Sequence, residues 1–183
     1  MAEPFRQGAY KFKPVSVVAV IVNVEDRYLI VEERLGNGLP IFNTPAGHME
    51  HWENIIEGAR RELFEETGIV TDHFDGVVGL YNLVQDNYTM LRTVFALRLD
   101  CYPELKINDP DGDIMAHHWL TYEECERLKG SMRSELVFDA IRDYRNGRLF
   151  PTDLITSYCK LSASVRKMVN ENLPQNPLRD NQK

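Results

Sequence analysis

The sequence predicts an α/β protein of the α+β type, with helices packed against a mixed β-sheet. Several runs are rich in β-branched residues, which is typical of strands, whereas residues 54–67 carry apolar side chains at helical spacing. Strands, one helix, further strands and then helices follow one another along the chain. This order favours a single mixed sheet that is covered by helices.

The N-terminal part of the chain predicts three strands. Residues 15–24 are mostly β-branched, and we expect them to form a strand that is buried on both faces. Glu25 and Asp26 mark a turn, so residues 27–33 should return beside this strand as a hairpin. Residues 42–46 are expected to form a short strand that ends at Gly47.

A helix is predicted over residues 54–67, because its apolar residues share one face. These residues are Ile55, Ile56, Ala59 and Leu63. Gly68 follows directly, and glycine is the residue that most often ends a helix. After it we expect strands at 77–84, 90–100 and 117–120, a short helix that starts at the capping-box sequence 121–124, and a helix at 135–146.

Length and composition predict one domain. A chain of 183 residues with 43% hydrophobic residues can build a single core. We expect this domain to cover residues 1–161. Residues 162–183 are rich in polar residues and proline, and are expected to form a mobile C-terminal tail.

Charge and cysteine content exclude several classes of protein. The formal net charge is −7 and no basic block is present, which argues against binding to a nucleic acid polymer or an anionic membrane. The longest apolar stretch, residues 15–22, is too short to span a bilayer, and no signal peptide is expected. The three cysteines are far apart, which favours the cytoplasm. The expected partner is a small molecule, and the oligomeric state is left open.

Three carboxylates share one side of the predicted helix. Glu62, Glu65 and Glu66 fall within an arc of about 100°, near the helix end where the dipole disfavours anions. One interpretation is a solvated acidic surface. The other is a site for a hard divalent cation, Mg²⁺ or Mn²⁺, because the acidic arc borders the apolar arc and should therefore lie at the edge of the core.

The segment from Gly47 to Ile69 resembles the Nudix box, G-x5-E-x7-R-E-U-x-E-E-x-G-U, at every position. A chance match to its seven fixed residues is roughly one in a million. The resemblance implies an α/β/α sandwich and a metal-dependent hydrolase of phosphoanhydride bonds. It also implies that Mg²⁺ is held by the carbonyl of Gly47 and by Glu62, Glu65 and Glu66. One glutamate, Glu62 by preference or else Glu66, would act as the general base.

Further roles are implied around this segment. Glu53 and Arg61 resemble an ion pair that supports the site without taking part in catalysis. Asp113 lies in a later loop from which Nudix enzymes often add a metal ligand, although an ordinary loop aspartate is an equal interpretation. Arg34 and Arg92 lie on predicted strands and are candidates for binding a substrate phosphate, with surface charge as the alternative.

A second resemblance, from about Phe12 to Ile155, is to the NudJ-type phosphatases. It is carried by the sequences Pro45-Ala46-Gly47-His48 and Arg133-Ser134, among others. It implies that orthophosphate is released from nucleoside tri- or diphosphates or from a thiamine-type pyrophosphate. The loop at 35–40 and much of 72–109 depart from that subfamily. The alternatives are an ADP-ribose-type pyrophosphatase, a Nudix domain that senses a nucleotide without cleaving it, and an interaction module.

Overall fold

The computed structural model describes residues 14–34, 38–86 and 88–172. Seven strands form one mixed sheet. They are β1 (Val15–Val24), β2 (Arg27–Arg34), β3 (Pro40–Asn43), β4 (Ala46–His48), β5 (Gly76–Val84), β6 (Thr89–Leu99) and β7 (Ile114–Thr121). The helices are α1 (Ile55–Thr67), α2 (Tyr122–Leu128), α3 (Glu135–Arg145) and α4 (Ala163–Asn172), with short 3-10 turns at Lys129–Ser131 and Thr152–Leu154.

Strand β1 occupies the centre of the sheet. The order is β3-β2-β1-β6-β5, with β4 paired to β1 and β7 paired to β2. The predicted hairpin is confirmed, since β1 and β2 pair antiparallel beside the turn at Glu25 and Asp26. Strand β6 lies parallel to β1 along the whole of β1.

The prediction of one strand at residues 42–46 is wrong. The chain forms β3, bends at Thr44 and Pro45, and then forms β4. Proline has no N–H to donate to a ladder, whereas the Pro45 carbonyl accepts a hydrogen bond from Val20 N at 2.9 Å. The bend moves the chain from pairing with β2 to pairing with β1, and thereby brings Gly47 beside the centre of the sheet.

Helices cover both faces of the sheet, as predicted. Alternate residues of β1 enter two separate cores, because successive strand side chains point to opposite faces. Val18 and Val20 pack with Leu63 of α1, whereas Ala19 and Ile21 pack on the other face, in the core that contains residues of α2 and α3. The architecture is therefore the expected α/β/α sandwich.

Both ends of α1 are fixed by local hydrogen bonds. Asn54 caps the N-terminus by accepting from the backbone N–H groups of Ile56 and Glu57, and Glu57 completes a capping box. Gly68 ends the helix with φ of 75°, a left-handed conformation that suits glycine. These caps define where the helix begins and ends, and a hydrogen bond from Ala46 N to the Glu66 carboxylate joins the helix to β4.

Part of the segment predicted to be a mobile tail is helical, since α4 spans Ala163–Asn172. Residues 173–183 lie outside the described residues, so the domain boundary at 161 remains a prediction. Within the described ranges, no helix is long and apolar enough to cross a membrane.

Candidate active site

A cleft of about 1310 Å³ opens beside the predicted site. At one end it is lined by β4, by α1 and by the loop after β6. Its wall also includes residues of β1, β2 and β3, of the β5–β6 hairpin, and of α2, α3 and the segment that joins them. The structure brings Gly47, Glu62, Glu65, Glu66 and Asp113 together along this cleft.

Arg61 is hydrogen-bonded to three carboxylates. Its Nε and Nη2 donate to the two oxygens of Glu53 at 3.0 and 2.8 Å, which is a bidentate pair. Its Nη1 donates to Glu62 Oε1 at 2.8 Å and to Glu65 Oε2 at 2.9 Å. Nη2 also donates to the carbonyl of His48. The predicted ion pair with Glu53 is therefore present, and Arg61 also links the loop before α1 to the acidic face.

Glu62 lies against the backbone of β4. A Cβ atom added at Gly47 would overlap the Glu62 carboxylate, so only glycine allows this approach. The contact explains why the sequence pattern needs glycine at position 47. It also places the Gly47 backbone beside the Glu62 carboxylate.

Glu66 has a different environment. One of its carboxylate oxygens accepts a hydrogen bond from Ala46 N at 3.0 Å, and its backbone carbonyl lies 2.7 Å from His117 Nε2. Glu62 is 9% exposed and Glu66 is 7% exposed. The interpretation of the acidic face as a solvated surface is therefore wrong for both residues.

Burial changes the protonation of these groups. It raises the pKa of Glu62 to about 7, against the attraction of Arg61, which lowers it. It also raises the pKa of Glu66 well above the ordinary value, and the negative charge of Glu62 adds to this effect. Burial raises the pKa of Glu65 as well. Each of these shifts favours the neutral, protonated carboxyl over the ionised form.

The raised pKa of Glu62 predicts that the stability of the protein in EDTA depends on pH. Between the ordinary glutamate pKa, about 4.3, and about 7, the folded protein binds more protons at Glu62 than the unfolded chain does. The free energy of unfolding should therefore fall as pH rises through this window. Because one pKa unit corresponds to about 1.4 kcal/mol, we expect a fall of up to about 4 kcal/mol across this window, measured by urea denaturation. Glu62→Gln should flatten the profile, and an equally steep profile in that variant would contradict the assignment.

The donor set suits a hard divalent cation. Carboxylate and carbonyl oxygens are the ligands that Mg²⁺ and Mn²⁺ prefer. A cation would favour the ionised forms of Glu62 and Glu66, which burial disfavours. Among the described residues, no group of three or more His, Cys, Asp or Glu already stands in ligand geometry. Arg61 instead contacts Glu62 and Glu65, so these two carboxylates would reorient to bind a metal.

The loop after β6 is docked on the C-terminal end of α1. Asn108 N donates to the carbonyl of Glu65 at 2.7 Å, and its side chain donates to Phe64 O. The Asp109 carboxylate accepts from the backbone N–H groups of Asp111 and Asp113 at 2.9 and 2.7 Å. Asp113 and Asp109 both line the cleft, Asp113 as an exposed residue and Asp109 as a half-buried one. The loop geometry is thus organised by Asp109, a residue that the sequence analysis did not single out.

The two candidate phosphate-binding arginines have different positions. Arg34 is exposed at the end of β2, and the structure does not bring it to the cleft wall. Arg92 lines the cleft, although only 3% of its surface is exposed. Its Nη2 donates to Asn43 Oδ1 and to Thr44 Oγ1, both at 2.9 Å.

Sequence reasoning missed three residues next to Arg92, namely Glu33, Asn43 and Arg133. Asn43 Nδ2 donates to Glu33 Oε1 at 2.8 Å, and Arg133 Nη1 donates to Glu33 Oε2. All three line the cleft. No clear sequence signal pointed to Glu33, because it lies in the charged run Glu32-Glu33-Arg34 at the end of β2.

Comparison with known proteins supports this description. The model of the NUDIX domain matches residues 12–140 of the chain. The chain is 38% identical to phosphatase NudJ of Shigella boydii over 152 residues, which is 80% of this chain and 94% of that protein. It is 36% identical to phosphatase NudJ of Escherichia coli K12 over 151 residues, with the same coverage.

A solved structure shares the fold. It is a NUDIX hydrolase from Nitrosomonas europaea, with a TM-score of 0.71 and 30% sequence identity. The alignment covers 81% of this chain and 100% of that one. Together with the complete Nudix box on β4 and α1, these matches establish that the chain belongs to the Nudix hydrolase family, whose members act on pyrophosphate bonds.

Proposed function

We propose that the protein is a Mg²⁺-dependent phosphohydrolase that releases orthophosphate from small nucleotides or pyrophosphates. The observation that carries this proposal is the cluster of buried carboxylates beside Gly47, in a cleft whose wall also contains Arg92 and Arg133. Such a cleft offers ligands for a cation and positive charge for phosphate. The similarity to phosphatases along most of the chain supports the same reaction.

Nudix hydrolases generally use divalent metals. In this protein we assign Mg²⁺, with Mn²⁺ as a substitute, to Glu62, Glu65, Glu66 and the carbonyl of Gly47, with Asp113 as a further ligand. When bound, the cation neutralises charge on the phosphate oxygens. The backbone of β4 and the capped helix α1 carry these ligands, and the carboxylates of Glu62 and Glu65 would turn from Arg61 toward the cation.

The remaining roles fall to the side chains of the protein itself. Glu62 is the group that we assign to accept the proton of the attacking water, because the Nudix resemblance implies this role for one glutamate of the cluster. Glu66 is the second catalytic carboxylate. Glu53 and Arg61 support the site by fixing the loop before α1. Arg92 contributes positive charge to the cleft wall.

A small-molecule substrate suits both the cleft and the charge of the protein. A volume of about 1310 Å³ is sufficient for a nucleotide and its phosphates. The net charge of −7 opposes binding to a nucleic acid polymer. We also propose that the protein acts in the cytoplasm, as the isolated cysteines suggest.

The reaction product distinguishes this function from the alternatives. Nucleoside triphosphates, nucleoside diphosphates, thiamine pyrophosphate and ADP-ribose are incubated with the full chain and Mg²⁺, with and without added inorganic pyrophosphatase. We expect orthophosphate from the first three substrates without the added enzyme, and no activity in EDTA. Pyrophosphate as the sole inorganic product, or cleavage of ADP-ribose alone, would reject the phosphatase assignment. Nucleotide binding without turnover would indicate a sensing domain.

A further inference from the structure

We propose that Arg133, backed by Arg92, forms an anion subsite in the cleft that holds a second phosphate group of the substrate. This inference rests on the proposed function, and it assigns a role to a wall of the cleft whose residues are not part of the Nudix box. The carboxylates of α1 would hold the metal, and the metal would attract one phosphate. The subsite at the start of α3 would hold the neighbouring phosphate of the same chain.

A chain of hydrogen bonds fixes the two guanidinium groups. Arg133 donates to Glu33, Asn43 donates to the other oxygen of Glu33, and Arg92 donates to Asn43. Glu33 is 6% exposed, and Asn43 is 4% exposed. Buried polar groups in a connected network have little freedom to move, so Arg92 is held in position before any ligand arrives, whereas Arg133 is attached to the network through Glu33.

The charge of this network favours an anion. It contains the guanidinium groups of Arg92 and Arg133 but the single carboxylate of Glu33. Arg92 donates only to the neutral side chains of Asn43 and Thr44, and its buried Nε has no hydrogen-bond partner in the part of the chain that the structure describes. A buried donor of this kind is costly unless a ligand satisfies it or balances its charge.

Arg92 remains a cation despite its burial. Burial lowers its pKa to about 10, while the charges of Glu33 and Glu66 act to raise it. The group is therefore protonated at neutral pH. Arg92 and Glu66 line the same cleft, so one polyphosphate chain can lie along both the subsite and the acidic cluster.

The start of α3 adds a second feature to the subsite. Ser134 is the N-cap of this helix, but its hydroxyl makes no capping bond, and the buried oxygen has no partner among the described residues. Ser134 and Arg133 both line the cleft. Unsatisfied N–H groups and the helix dipole attract anions to such an end. Glu135 also lies in this turn, so Arg133 must supply the larger part of the positive charge.

Arg133 can exchange Glu33 for a phosphate, so that one substitution should strengthen anion binding and another should weaken it. Its side chain is 47% exposed, whereas that of Glu33 is 8% exposed, so the outer part of the guanidinium is accessible from the cleft. A phosphate would compete with Glu33 for Arg133. Removal of the Glu33 charge should therefore strengthen anion binding, and removal of Arg133 should weaken it.

The experiment is a titration of inorganic phosphate into the full chain in EDTA, in which isothermal titration calorimetry measures the affinity. Arg133→Met should weaken phosphate binding about tenfold, because a bidentate guanidinium–phosphate contact is lost. Glu33→Gln should tighten it about threefold, since the competing carboxylate becomes neutral. Arg127→Met, which removes an exposed arginine of α2 outside the cleft, should change binding by less than about twofold. Circular dichroism confirms that each variant is folded.

Unchanged phosphate affinity in Arg133→Met, weaker affinity in Glu33→Gln, or no phosphate binding by the unmodified protein would each overturn the proposal. If Arg133→Met does not fold, the Glu33→Gln result decides. Hydrolysis by the unmodified protein is measured separately with Mg²⁺. If the protein hydrolyses its substrates but phosphate binding does not depend on Arg133, the subsite alone is rejected. If the protein binds phosphate but hydrolyses none of the substrates, the proposed function is rejected and the anion site remains.

Discussion

Glu66→Gln is expected to lower kcat at saturating Mg²⁺ by about two to four orders of magnitude, the range for loss of an acid–base group or metal ligand. The fold should remain intact, because glutamine can still accept the hydrogen bond from Ala46 N through its side-chain oxygen. The unfolding temperature in EDTA should be equal or higher, since the variant no longer buries a carboxylate next to Glu62.

This result separates a catalytic role from a structural one. Glu104→Gln, in an exposed loop outside the cleft, is the matched control and should keep full activity and stability. Mn²⁺ titration followed by electron paramagnetic resonance should detect weaker binding in Glu66→Gln. Activity within a few-fold of the unmodified protein, or a marked loss of stability in EDTA, would argue against Glu66 as a metal ligand.

Arg61→Ala is expected to lower both stability and turnover. The substitution removes the cation that is hydrogen-bonded to Glu53, Glu62 and Glu65, and leaves the buried Glu53 carboxylate without its bidentate partner. Removal of one member of a buried pair costs about 3–5 kcal/mol, which urea denaturation at constant pH would measure. Turnover should fall because the loop that carries the His48 carbonyl is no longer tied to α1.

A double variant tests whether unpaired charge is the cause. Glu53→Gln combined with Arg61→Met removes both members of the bidentate pair, and it should recover part of the stability that Arg61→Ala loses. If Arg61→Ala instead keeps the stability of the unmodified protein and loses only turnover, Arg61 would have a direct role in the reaction.

The acidic face and its helix could be predicted from sequence because the determinants are local. The period of the apolar residues, the Asn54 cap and Gly68 all lie within or next to α1, and they define the helix without information from the rest of the chain. The position of Glu62 and Glu66 beside the apolar arc favoured a place at the edge of the core, although a solvated acidic surface was an open alternative. The Nudix box added the role of Gly47, whose contact with Glu62 joins β4 to α1.

The other wall of the cleft could not be predicted, because its contacts join residues that are far apart in sequence. Glu33 of β2 meets Arg133 at the start of α3, and Asn43 of β3 meets Arg92 of β6. Neither the spacing of apolar residues nor a helix-capping residue indicates such a pairing in the sequence. The break between β3 and β4 was missed for a related reason, since Pro45 only acquires its role once β1 is present to accept β4.

The central position of β1 has a consequence for how the chain folds. β1 is the first strand to be synthesised, whereas its parallel partner β6 is synthesised much later, since Val15 pairs with Met90. Pairing between distant segments is slow, and ribosomes add only about 5–20 residues per second. Until β6 emerges, the apolar run of β1 has one unpaired edge and both faces incompletely covered, a state that favours aggregation. This protein should therefore depend on chaperones most strongly during its own synthesis, before the segment that completes the sheet has left the ribosome.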